Sequence, residues 1–110
     1  MSLKKQLPSS IKVGSITYDI TVSPENERWH NLTGEYGHID FIGRVIAISI
    51  DNSFEQKRDT LVHEIMHAIV KHMRLDEAWK EDDEDFTKRL SNGLNMVFRD
   101  NPDFIRLLGM

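Results

Sequence analysis

Two histidines and a glutamate, in the run His63-Glu64-Ile65-Met66-His67, are the side chains of this chain best placed to do chemistry. Residues four apart on a helix lie one above the other, offset by roughly 40°. His63 and His67 can therefore aim imidazole nitrogens at one divalent ion, and Glu64 leans over the ion's open side. That set offers two neutral nitrogen ligands and a carboxylate able to take a proton from polarised water, the chemistry of the H-E-x-x-H pattern and of zinc.

The chemistry needs a helix to carry it. Phe54, Arg58, Leu61, Val62, Ile65 and Ile69 recur at helical spacing, so the spacing predicts an amphipathic helix over about 53–73. Ser53 with Gln56, behind Asp51 and Asn52, is a capping-box start for it. The competing view of the motif is a core helix that happens to contain two histidines. Two imidazoles and a carboxylate on a half-buried helix need partners, which disfavours that view.

A hydrolytic zinc site takes three protein ligands and keeps one position for water. His72 follows His63 by nine residues, about 180° round the helix, and cannot reach the same ion. His30 falls in a loop and His38 in a hairpin, where histidines are usually ordinary surface residues. The better source is the acidic run Glu81-Asp82-Asp83-Glu84-Asp85, which opens a second helix over about 82–99 with Phe86, Leu90, Leu94, Val97 and Phe98 on its apolar face. Acids at a helix start also match the dipole, which is the bland account of the run. Folding this helix back on the first brings its first turn near the metal face. Glu84 flanks the buried stripe and is the preferred ligand, and Asp83, nearer the centre of the stripe, is the alternative. Gly93 in mid-helix implies a close helix or ligand approach. Asp100-Asn101-Pro102 ends the helix, and a short terminal helical turn follows over 103–108.

Upstream, Ile11 and Val13 alternate with polar residues, Gly14-Ser15 suits a type II′ turn, and Ile16, Tyr18, Ile20 and Val22 alternate again. Residues 1–10 read as a lead-in and 23–33 as a polar loop, with Trp29 as a lid over the core edge or a wall of the cleft. A second hairpin has arms 36–42 and 45–50 around a Gly43-Arg44 turn. Its second arm is apolar on both faces. It either offers an edge to an extended peptide or lies inside the sheet with both edges paired.

The whole-chain properties set the frame. With 110 residues and a net charge of −4, the chain has room for one domain with a modest core and carries no basic nucleic-acid footprint. It has no cysteine, so any metal is held by nitrogen and oxygen, and a cytoplasmic setting fits. No apolar run approaches a membrane span, and the start Met-Ser-Leu-Lys-Lys-Gln lacks a signal-peptide core.

The stretch Thr60-Leu-Val-His-Glu-Ile-Met-His-Ala-Ile-Val70, after an Ile-rich strand and before a helix with an acidic start, resembles the ImmA/IrrE-type metallopeptidases. It is most similar to the short versions found in phages and prophages. Glu84, Thr87, Leu90 and Ser91 stand in the spacing of that group's E-x-x-A-x-x-F-A pattern, matching at the glutamate and loosely at the other three. The run Asn92-Gly93-Leu94 with Asp100-Asn101-Pro102 is similar too. The resemblance implies an α+β, zincin-like fold: a small twisted, mainly antiparallel sheet on the motif helix, then the glutamate helix and a short C-terminal helix. It implies a Zn²⁺ hydrolase acting on a peptide or protein, with His63, His67 and Glu84 as ligands and Glu64 as general base. A regulatory protein is the expected substrate. The alternative is a catalytically silent metal-binding module that docks on a regulator. No tyrosine follows the motif, and Tyr36, His38, His72 and Arg89 are the polar residues left to steady an oxyanion.

Overall fold

Alternating residues in the first half build a sheet, and helical spacing in the second half builds the layer that covers it. The computed structural model describes residues 7–23, 36–49, 53–78 and 83–109. The loop carrying Trp29 and His30 lies outside the described residues.

Strand β1 (Ser10–Val13) and strand β2 (Ile16–Ser23) form the first hairpin. Gly14 has φ +64 and Ser15 is not among the positive-φ residues, as a type II′ turn requires. Strand β3 (Gly37–Asp40) and strand β4 (Val45–Ser49) form the second hairpin. Its first arm is shorter than the alternation suggests. Asp40 Oδ1 accepts from the Ile42 and Gly43 amides at 3.1 and 3.0 Å, which turns the chain out of the strand at Phe41 and leaves Ile42 at the tip, 96% exposed.

The strand order is β1-β2-β4-β3. Both hairpins are antiparallel, but β4 folds back between β3 and β2 and pairs with β2 in parallel. The sheet is therefore mixed, and β4 is interior rather than a free edge. Its composition fits that place: Ile46 and Ile48 are 0% exposed. One face carries Ile11, Val13, Tyr18, Ile46 and Ile48 into the core, while Lys12, Thr17, Asp19 and Thr21 on the other are exposed.

Helix α1 (Phe54–Met73) covers the core face with Leu61, Ile65, Ala68 and Ile69. Ser53 Oγ accepts from Gln56 N at 3.1 Å, so the cap forms where expected. The other half of the expected capping box does not form, because the Gln56 side chain turns forward to Thr60 Oγ1 at 3.1 Å instead of back to Ser53 N. The chain leaves α1 through Arg74, φ +54, into the short helix α2 (Leu75–Ala78), which occupies the expected exit. Helix α3 (Asp83–Asp100) packs back on α1, and α4 (Pro102–Leu107) closes the chain. A Cβ on Gly93 would lie 2.8 Å from Ile69 Cγ2 and 3.0 Å from Met73 Cγ, so this glycine serves a helix–helix approach. The described molecule is an α+β sheet-and-helix pair of layers. No helix among the described residues is long and apolar enough to cross a membrane.

Candidate metal centre

Helix α1 buries one stripe and leaves the neighbouring one open. Thr60, Leu61, Glu64, Ile65, Ala68 and Ile69 are buried, whereas His63 and His67 are exposed beside them. The two rings meet edge to face, 85° apart with centroids at 4.7 Å. Their Nε2 atoms are 3.1 Å apart. Two nitrogens on one tetrahedral zinc, each bonded at about 2.05 Å, stand about 3.3 Å apart. The pair already has the spacing of two ligands to one ion. The same distance also suits a hydrogen bond from one ring to the other.

Glu64 is 6% exposed, at the border between the core stripe and the histidine stripe. Strand β3 passes over it: a Cβ on Gly37 would lie 3.4 Å from Glu64 Oε2. His63, Glu64 and His67 line one cavity of about 620 Å³ with Tyr36, His38 and Asp59. A second cavity, about 490 Å³, adjoins it and shares His67 and Phe41. Phe41 is held edge-on by the Tyr18 ring at 6.5 Å and lies under Lys71 Nζ at 4.8 Å from its centroid.

The remaining predicted residues divide clearly. Tyr36 and His38 reach the cavity. His72 does not: its ring covers the Gly14 turn, where an added Cβ would meet it at 2.1 Å. Arg89 is occupied elsewhere, donating to Met73 O at 3.2 Å and pairing with Asp85 at 3.1 Å. Glu84 is exposed in the first turn of α3. Among the described residues no three His, Asp or Glu side chains converge closely enough to hold an ion. The Asp83 side chain lies outside the described residues.

Gly37 and Phe41 were not visible as site residues in the sequence. Gly37 read as one more strand position, and Phe41 as part of a hairpin arm. The only local signal was a glycine in a strand, which marks a close approach.

The donor chemistry fits zinc for two positions: paired Nε2 atoms, a carboxylate beside them and no thiolate anywhere in the chain. Compared with protein family models, curated proteins and solved structures, the chain matches none.

Proposed function

We propose that this chain is a zinc-dependent metallopeptidase of the ImmA/IrrE type, acting on an extended segment of a protein. The observation that carries the reading is the 3.1 Å approach of His63 Nε2 and His67 Nε2 at an open cavity, with the Glu64 carboxylate on the next residue. His63 and His67 would hold the ion, and Glu84 would be the third ligand in this reading. Zinc supplies a polarised water and a Lewis acid for the peptide carbonyl. Glu64 would accept a proton from water attacking the carbonyl and hand it to the departing amine. Tyr36 and His38 belong to the strand segment that lines the same cavity.

Strand β3 is the natural guide for the substrate. Ser49 N donates to Tyr36 O at 2.9 Å, so Tyr36, His38 and Asp40 turn their backbone groups toward β4. Gly37 and Ile39 turn theirs outward, beside the cavity. An extended peptide pairing there would pass over the histidines.

The test is Glu64→Gln in zinc-loaded protein. Zinc binds at about one per chain in both forms, measured by elemental analysis. Cleavage of a peptide library falls by about 10²–10⁴-fold in the variant, the range for loss of a general base. A chain that takes up no zinc, or a variant as active as its parent, rules the reading out.

A further inference from the structure

We propose that Gly37 is a positioning residue for Glu64: the side chain it lacks sets the gap between β3 and α1 that fixes the carboxylate. The proposal rests on the peptidase reading above and names a part of that site.

Gly37 has no positive φ, so its backbone conformation is open to any residue. What excludes a side chain is space. A Cβ there would lie 2.3 Å from Thr60 Cγ2, and 3.4 Å from both Glu64 Oε2 and the Ala47 carbonyl. A gap of 2.3 Å is far inside contact, so something must move. Thr60 is buried and cannot turn away cheaply, because its hydroxyl accepts from Gln56 Nε2 at 3.1 Å. Gln56, Thr60 and Glu64 are spaced four apart and form one row along α1, directly under β3. The first is tied to the second, and the strand lies on the second and third. An added methyl at position 37 therefore either lifts β3 off this row or pushes the row down, and in both cases the distance between Glu64 and the strand-bound peptide changes. Displacements of this order at a reacting group cost up to about 10²-fold in rate.

The test combines Gly37→Ala with Thr60→Ser. Serine deletes Cγ2, the atom in collision, and keeps the hydroxyl that Gln56 holds. In zinc-loaded protein assayed on a fluorogenic peptide library, Gly37→Ala lowers kcat by about 10–100-fold with zinc content near that of the parent chain. Adding Thr60→Ser recovers most of the loss. Crystal structures of the zinc-loaded parent and both variants read the same effect without turnover: the Glu64 carboxylate is displaced in Gly37→Ala and returns in the double variant. An undisplaced carboxylate in Gly37→Ala overturns the proposal, as does a double variant that regains its melting temperature without regaining kcat. A parent chain that binds zinc but cleaves nothing sinks only the peptidase reading, since the carboxylate position still decides this one.

Discussion

The two outer strands of the sheet are treated in opposite ways. At β1, Lys12 directs its backbone groups outward, and one side chain takes both. Asn101 Oδ1 accepts from Lys12 N at 2.8 Å, and Asn101 Nδ2 donates to Lys12 O at 2.7 Å. The same Nδ2 also donates to Val97 O at 2.8 Å, tying the strand to the end of α3. A single amide thus stands in for a neighbouring strand. At β3, the outward groups of Gly37 and Ile39 face the cavity that contains the histidines. Sheet edges attract other chains unless they are covered. At Lys12 the edge far from the histidines is capped by the fold itself, and the edge beside them is where the proposed substrate pairs. On the proposed reading, one edge serves stability and the other recognition.

The largest test of that division is Asn101→Ala. It removes a 9%-exposed amide and leaves three backbone groups without it, so unfolding free energy falls by about 2–4 kcal/mol, read by denaturant titration. Zinc uptake by the folded fraction is unchanged, because Asn101 belongs to the other edge. A loss of zinc binding in folded Asn101→Ala would show that the two edges are not independent.

Much of this arrangement was legible locally, and what was missed is long-range. Ser53, the 3.6-residue apolar spacing, Gly14 and the mid-helix Gly93 each encode their role within a few residues, and the structure has each where expected. The histidine pair is likewise a local feature of one helix turn. The insertion of β4 between β2 and β3 is not encoded by either hairpin. It depends on pairing between residues far apart in the chain, β2 with β4, which alternation alone leaves open. Asn101 read as a helix terminator because its neighbour Pro102 explains it locally, and its partner Lys12 is 89 residues away. The proposed third ligand has the same difficulty: Glu84 sits on another helix, and no spacing rule fixes where that helix begins relative to His63.

The next largest effect concerns the recognition edge. A peptide lying along β3 meets Gly37 and Ile39 with every second residue. N-methylation of those alternate amides weakens binding to the zinc-loaded Glu64→Gln protein by roughly 10-fold each, the worth of one hydrogen bond. Methylation of the intervening amides has little effect. Affinities measured by calorimetry across a methyl scan should therefore alternate with a period of two. A flat scan would mean that the peptide is held by side chains alone and that β3 plays no part as a template.

The smallest effect sharpens how the recognition edge is held in place. Asp40 ends β3 and fastens the Ile42 and Gly43 amides with one exposed oxygen, and the residue after it, Phe41, is shared by the two cavities. Asp40→Ala loses both bonds but exposes the amides to water, which replaces them, so stability drops by only about 0.5–1.5 kcal/mol. Asp40→Asn keeps a carbonyl acceptor and costs less still. The informative quantity is the ratio between stability and function. If the turn serves only to close the hairpin, cleavage follows the folded fraction in both variants. If it also aims Phe41 at the join between the cavities, Asp40→Ala loosens peptide binding by more than its stability loss accounts for, and Asp40→Asn restores it. Thermal melts and peptide titrations on the same three proteins separate the two roles, because Asn101, at the covered edge, offers no comparable path from turn geometry to substrate.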